Sequence, residues 1–216
     1  MAQPIPHLPC TEEEYLAAER EAFERSEYID GVIYAMAGES PAHGAISANL
    51  VALIVTHLRG TPCQAFTKDM KVRSGPLPVS KRNRKGLYSY PDLLVVCGAL
   101  QTLDEHKDVI LNPRVILEVL SDSTLHFDRV EKFQRYQKYL PSLMDYVMVS
   151  QQLALIEIFH RDSPEAPSWR YFSANDLQDT ITIPSIECPL PLSAIYDRVT
   201  FPPPREEDLD EEEAQA

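Results

Sequence analysis

The sequence lacks the features that mark zinc-binding, disulfide-rich, secreted or membrane-spanning proteins. Its four cysteines are scattered and none forms a CxxC pair, so neither a structural zinc site nor a disulfide framework is expected. No apolar run reaches the roughly 18 residues that a membrane span requires. The N-terminus has neither the basic nor the apolar region of a signal peptide. We therefore expect reduced thiols in a cytoplasmic protein that does not contact a membrane.

Positive charge is also scarce. The chain has 20 Lys and Arg against 33 Asp and Glu, a formal net charge of −13, which is unusual for a general nucleic-acid-binding protein. The charge is uneven, because residues 205–216 contain seven acids and one arginine. The one compact basic run contains Lys81, Arg82, Arg84 and Lys85, which are either solvated loop charges or contacts for phosphate groups.

The length and the apolar content suit a single domain with short extensions. We predict an irregular, Pro-rich arm at residues 1–10, one domain at residues 11–204 and a disordered acidic tail at residues 205–216. Helical and strand patterns alternate irregularly within the domain. This order predicts an α/β (α+β) fold with a mixed central sheet flanked by helices.

The local patterns predict where these elements lie. Helices are expected at residues 11–23, 40–60 and 128–140, with Ser40 and Asp128 as N-cap residues. A hairpin is expected around the Asp30-Gly31 turn. Strands are predicted at residues 63–74, 88–98, 114–120, 145–150 and 153–160, around residues 169–173, and at residues 181–186. A short terminal helix is predicted at residues 189–199.

One of these strands contains a residue that its pattern does not explain. The segment RVILEVL, residues 114–120, does not alternate between apolar and polar residues, so both of its faces should be covered. Glu118 lies in its middle. A buried, unpaired carboxylate costs several kcal/mol, about enough to force it to take up a proton. The strand therefore predicts a hydrogen-bond partner, a cationic side chain or a metal ion beside Glu118.

Two further residues could lie near Glu118. Asp92 precedes the apolar run of the predicted strand at residues 88–98, which begins near Pro91. If this strand and the strand with Glu118 are neighbours, both carboxylates can lie on one face of the sheet. Two carboxylates, water and a phosphate oxygen form the oxygen-rich shell that Mg²⁺ prefers. Lys132 lies on the following helix, at the margin of its apolar face, from which a long side chain can reach a site.

The ordered motifs YIDG, PAHG, YPDLLVVC, LEVLSDST, FDRVEKFQRY and DYVMVS resemble the Uma2 family, a bacterial group assigned to the PD-(D/E)XK, restriction-endonuclease-like fold. The resemblance runs from about residue 11 to about residue 200. It implies that Asp92, Glu118 and Lys132 are catalytic and that the two acids bind Mg²⁺ or Mn²⁺. The general nuclease pattern would place the lysine at Leu120, whereas Uma2-like sequences carry it on the following helix, as Lys132 is here.

The resemblance also implies a role for His43 at a helix start and for an acid of the N-terminal region, for which Glu27 is the candidate. Each candidate has a structural alternative. His43 is often a helix-end or core histidine, Asp92 can bond backbone N–H groups at a strand end, and Lys132 can be a solvated helix charge.

Two functions follow from these alternatives. The first is a Mg²⁺-dependent endonuclease that hydrolyses phosphodiester bonds in DNA and can act as a homodimer. The second is a catalytically inactive nuclease-like fold that serves as a binding or regulatory module, which the acidic charge and Leu120 favour. Another class of hydrolase ranks last, because the sequence has no GxSxG, HExxH or Walker motif.

Overall fold

A computed structural model describes residues 9–36, 38–77, 84–121 and 125–203. Most of the predicted N-terminal arm, Lys81, Arg82 and the acidic tail lie outside these residues. The division of the chain into an arm, one domain and a tail therefore stays a prediction.

Strands and helices follow one another in mixed order along the described chain. In chain order they are α1 (Glu12–Glu21), β1 (Ser26–Ile29), β2 (Val32–Ala35), α2 (Pro41–His57), β3 (Cys63–Thr67), β4 (Lys71–Ser74), β5 (Leu87–Ser89), β6 (Leu93–Cys97), β7 (Val109–Ile110), β8 (Val115–Leu120), a π-helical segment (Phe127–Lys132), α3 (Phe133–Tyr139), β9 (Asp145–Ser150), β10 (Ile156–His160), β11 (Arg170–Ala174), β12 (Thr180–Ile183), a 3-10 turn (Pro184–Ile186), β13 (Cys188–Pro191) and α4 (Leu192–Ile195).

A six-stranded sheet lies at the centre, in the order β11-β10-β9-β8-β6-β3. The pair β8–β9 is parallel and the other pairs are antiparallel, so the predicted fold class, with its mixed central sheet, is confirmed. Helix α2 packs against one face through Ile46, Leu50 and Ile54. Helix α3 covers the other face through Tyr136, together with residues of a second sheet. Strand β8 is therefore buried on both faces, as its sequence predicts.

The second sheet has five strands in the order β2-β1-β5-β4-β7, and β12 pairs separately with β13. The sequence analysis did not separate these sheets, because it treated residues 63–74 and 88–98 as single strands. Each segment is two strands that belong to different sheets, divided by a turn at residues 68–70 in the first and around Pro91 in the second. Proline has no N–H to donate to a ladder, which explains the second break.

Two of the three predicted helix starts are confirmed. Thr11 caps α1 in a reciprocal capping box with Glu14. The Ser40 hydroxyl accepts the N–H of His43 and caps α2, and Pro41 occupies the first helical position. These caps fix where each helix begins relative to the strands around it.

The third predicted start is wrong. The chain is already helical at Leu125, so Asp128 lies inside the helix and is not its N-cap. The turn from Phe127 to Lys132 is π-helical, and the Tyr146 hydroxyl on β9 donates to the Asp128 carbonyl at 2.8 Å. The terminal helix is also shorter than predicted, because Cys188–Pro191 forms a strand before it.

The cysteine prediction needs a correction. Cys63 and Cys97 face each other on the neighbouring strands β3 and β6 and form a disulfide, while Cys10 and Cys188 are free thiols. The positions of the cysteines in the sequence gave no sign of this pair, because strand pairing brings the two residues together. Among the described residues, no helix is long and apolar enough to cross a membrane.

We expect the disulfide to stabilise the protein mainly by restricting the unfolded chain. The bridged residues are 34 apart in sequence, and closing a loop of that size contributes about 3–4 kcal/mol in the chain-entropy model. Adding a thiol reductant should lower the melting temperature of the wild type and leave that of a Cys63→Ser, Cys97→Ser double variant unchanged. Equal melting curves for the wild type with and without reductant would contradict this expectation.

Candidate functional site

A pocket lies where the two sheets meet the start of α2 and the π-helical segment. Its walls come from the hairpin β1–β2 and the residues after it, from the start of α2, from the Tyr90–Asp92 connection, from the end of β8 and from the helix that contains Lys132. The five residues that the sequence analysis proposed as catalytic or metal-binding candidates all line it: Glu27, His43, Asp92, Glu118 and Lys132. The fold therefore brings together side chains that are up to 105 positions apart in sequence.

Lys132 is at the centre of the charged cluster. Its Nζ lies 2.9 Å from Asp128 Oδ1, 3.1 Å from Glu27 Oε1 and 3.3 Å from Glu118 Oε1. Only 5% of Lys132 is exposed, so it is neither the solvated charge nor the marginal residue that its sequence position allows. Burial alone would lower the pKa of Lys132, but the three carboxylates raise it well above its ordinary value. The ammonium group is therefore charged.

Glu118 has polar partners, as its position in an apolar strand predicts. It is 4% exposed, and besides Lys132 it accepts a long hydrogen bond of 3.4 Å from the Tyr136 hydroxyl, which also bonds Ser89 at 2.7 Å. Burial nevertheless raises the pKa of Glu118 well above its ordinary value, and the nearby carboxylates of Asp128, Asp92 and Glu27 add to the shift. One lysine does not neutralise so many acids, so the site favours a proton or another cation near Glu118.

Asp128 is a site residue that the sequence analysis missed. It is 3% exposed, and its Oδ1 is within ion-pair distance of Lys132 but in a direction that makes no regular hydrogen bond. The signal was present as the spacing of four residues between Asp128 and Lys132, which places both on one side of a helix. The sequence analysis instead assigned Asp128 to the helix cap, because the π-helical turn and the earlier helix start have no clear signature in the sequence.

Asp92 lies on the other side of the pocket, and backbone and side-chain contacts orient it. Its Oδ2 accepts the N–H of Val119 at 2.7 Å, and its Oδ1 lies 2.7 Å from His43 Nε2. Burial alone would lower the pKa of His43, but the hydrogen bond and the charge of Asp92 outweigh it, so the pKa is raised. The Ser40 cap positions His43 in the first turn of α2 for this contact.

Glu27 joins the cluster from β1. Its Oε1 accepts the N–H of Tyr90 at 3.2 Å, in addition to its contact with Lys132. Burial raises the pKa of Glu27, and the charge of Lys132 opposes that rise. Arg84 and Lys85 are different, because both are exposed and neither lines the pocket.

The residues of the pocket suit a divalent cation. Carboxylates outnumber cationic side chains, and the buried Asp128 Oδ1 makes no regular hydrogen bond. Within the described chain, one group of ligand atoms is also close enough for an ion: Glu39, His43 and Asp92 each offer an atom within 4.8 Å of the others.

Comparison with known proteins agrees with this geometry. The family model of Uma2, described as "Putative restriction endonuclease", matches residues 12–192. The chain belongs to the Uma2 family. The predicted family is thus confirmed.

Two other protein sequences and a solved structure are also similar to this chain. The uncharacterized protein slr1290 of Synechocystis sp. (strain ATCC 27184 / PCC 6803 / Kazusa) is 33% identical over 198 residues, which cover 92% of this chain and 96% of that protein. The uncharacterized protein sll1609 of the same organism is 31% identical over 70% of this chain and 80% of its own length.

The solved structure is a crystal structure described as a putative nuclease belonging to DUF820 from Anabaena variabilis ATCC 29413. It superposes with a TM-score of 0.67 at 16% identity and covers 89% of this chain and 100% of its own. At that identity the likeness establishes the fold alone.

The structure also shows why this Uma2 chain can carry its lysine on a helix. Leu120, at the position of the general nuclease lysine, is buried in the apolar cluster beneath α3. Lys132 reaches Glu118 from α3's N-terminal side instead. A lysine therefore lies beside the strand carboxylate although position 120 is apolar.

Replacing Lys132 by Met should destabilise the fold, because it leaves buried carboxylates without their cation. We expect the free energy of unfolding to fall by about 3–5 kcal/mol, and Glu118→Gln in the same chain should recover part of the loss. Lys138→Met is the matched control, since Lys138 is exposed on the same helix and its loss should change stability by no more than about 0.5 kcal/mol. Urea unfolding would measure all four proteins, and equal stabilities for both single variants would refute the pairing.

The raised pKa of Glu118 also predicts a pH dependence. Because the folded state holds a proton on this carboxyl more tightly than the unfolded state does, its contribution is largest below the ordinary pKa and is lost as pH rises towards the folded value. The difference in unfolding free energy between the wild type and Glu118→Gln should therefore fall as pH rises above about 4.5. Urea unfolding at several pH values between 5 and 8 tests this, and a flat difference would contradict it.

Proposed function

We propose that this Uma2 protein is a divalent-metal-dependent endonuclease that hydrolyses phosphodiester bonds, with DNA as its substrate. The observation that carries the proposal is the convergence of Asp92, Glu118 and Lys132 in one acidic pocket of a nuclease-like fold. The family model is described as "Putative restriction endonuclease" and one structure of similar fold as a putative nuclease, which supports the same reaction class.

In this proposal, Asp92 and Glu118 hold Mg²⁺ or Mn²⁺. The cation would polarise the phosphodiester and lower the pKa of a bound water. Val119 holds one oxygen of Asp92 through its N–H, which leaves the other oxygen facing the pocket towards His43. Glu118 is held within the buried strand β8, and both carboxylates line the same pocket.

Lys132 supplies the positive charge of the reaction. Glu27 and Asp128 contact its ammonium group independently of Glu118, so Lys132 stays oriented when Glu118 takes on another partner. A lysine placed there stabilises negative charge that develops on the phosphate, in a pocket where water does not weaken the interaction. Asp128 and Glu27 are positioning residues in this scheme.

One observation favours the alternative of an inactive binding or regulatory module. An ammonium group has three donors, and Lys132 already has three carboxylates as neighbours, which is also the arrangement of a purely structural ion cluster. The nuclease proposal also includes a DNA substrate, a homodimer, a cytoplasmic location and phosphate contacts from Arg84 and Lys85. The disulfide removes one argument for the cytoplasm, namely that all thiols are reduced.

A cleavage assay separates the two functions. With Mg²⁺ or Mn²⁺, Lys132→Met should cut DNA about 10²–10³-fold more slowly than the wild type while it retains metal affinity, because the lysine acts mainly in the transition state. Lys138→Met should cut at the wild-type rate. Rates are compared below the melting temperature of each variant. No cleavage by the wild type with any divalent cation would favour the inactive module, whereas an unchanged cleavage rate for Lys132→Met would remove Lys132 from the proposed mechanism.

A further inference from the structure

We propose that Glu39, His43 and Asp92 form a binding site for a transition-metal divalent cation at the mouth of the pocket, and that this site prefers Mn²⁺ and the later metals to Mg²⁺. Glu39 was not a candidate in the sequence, and His43 had no assigned chemistry there. The proposal concerns binding, so it stands whether or not the protein cuts DNA.

The distances suit a common ion. The three ligand atoms lie within 4.8 Å of one another, and two ligands on opposite sides of a cation with bonds of about 2.0–2.6 Å are about 4–5 Å apart. His43 Nε2 and Asp92 Oδ1 are 2.7 Å apart, close to the separation of neighbouring ligands on one ion. Glu39 is exposed, so its side chain can adjust to close the set.

Two of the three ligands are held in place by the fold. Asp92 is oriented by the N–H of Val119, and His43 by the cap that starts α2. Glu39 immediately precedes the cap residue Ser40 and forms an ion pair with Lys68. A cation would replace that ion pair and the contact between His43 and Asp92 with stronger bonds at little cost in side-chain order.

The donor atoms determine the preferred metal. Mg²⁺ takes oxygen ligands in a strict octahedron, and an imidazole nitrogen is a poor substitute. First-row transition metals bind mixed nitrogen and oxygen sites, with affinity rising from Mn²⁺ to Cu²⁺. A site with one imidazole and two carboxylates should therefore hold Mn²⁺ in an excess of Mg²⁺.

Glu118 is not part of this set. Its carboxylate is directed to Lys132 and Tyr136. The Glu39–His43–Asp92 site thus differs from the pair Asp92 and Glu118, and Asp92 is common to both. Variants can therefore distinguish the two ligand sets. Glu39→Gln and His43→Asn alter only the first set, and Glu118→Gln alters only the second.

The test measures Mn²⁺ binding to the full chain by electron paramagnetic resonance of the free ion and by calorimetry. Glu39→Gln and His43→Asn should each weaken Mn²⁺ binding by at least about 10-fold, the smallest loss expected when metal coordination is disturbed. Glu118→Gln removes none of the three ligands, so the Mn²⁺ binding that Glu39→Gln weakens should still be measurable in this variant and should still fall when Glu39→Gln is added to it. Glu105→Gln and His106→Asn, which alter exposed residues of the same types, should match the wild type.

A second variant tests the metal preference. His43→Asp makes the ligand set all oxygen, so the ratio of Mn²⁺ to Mg²⁺ affinity should fall relative to the wild type. Glu39→Gln keeps the test valid if the His43 variants melt early, because Glu39 is exposed and outside the helix. Loss of Mn²⁺ binding in Glu118→Gln together with retention in Glu39→Gln would overturn the proposal, as would equal affinities of the wild type for Mn²⁺ and Mg²⁺. Mn²⁺ binding without cleavage would instead reject only the nuclease function.

Discussion

The pocket depends on one buried ammonium group. Lys132 contacts Glu27 from β1, Glu118 from β8 and Asp128 from its own helix. Charges of this kind are expensive to bury and become tolerable only when each has a partner in good geometry. Because the partners come from the second sheet, the central sheet and the helix between them, the ion cluster can form only when those three elements are correctly placed. The same contacts that make the burial tolerable therefore define the shape of the pocket.

Much of this arrangement could be predicted from one feature of the sequence, a carboxylate in an otherwise apolar strand. A carboxylate within RVILEVL required a cationic or metal partner, and Lys132 is that partner in the structure. The degree of burial could not be predicted. A regular helical wheel places Lys132 at the margin of the apolar face, whereas the π-helical turn and the bond from Tyr146 to the Asp128 carbonyl accompany a side chain that is almost fully enclosed. A local change in helix type depends on tertiary contacts that periodicity does not contain.

The other features that the sequence analysis did not predict also depend on tertiary contacts. The sequence analysis predicted one strand at residues 88–98, but Pro91 separates two strands that enter different sheets. Asp92, which follows this break, contacts Val119 and His43. Cys63 and Cys97 are paired by the register of β3 and β6, and Glu39 reaches Asp92 through the start of α2. In each case, residues far apart in sequence become neighbours through the tertiary fold. A pattern of one chain segment carries no information about the segment that will lie beside it.

The excess of acid, which argues against nucleic-acid binding when counted over the whole chain, has a different meaning at the pocket. Carboxylates concentrated around one lysine repel a phosphate group as long as no other cation is present. A bound divalent ion reverses that local balance, since it adds two positive charges where the acids converge and can itself contact phosphate oxygen. Affinity for a polyanion would then depend on the metal more than on the surface charge of the protein. An acidic protein with a cation-dependent pocket is therefore consistent with action on nucleic acid, and net charge alone does not decide between an active enzyme and an inactive module.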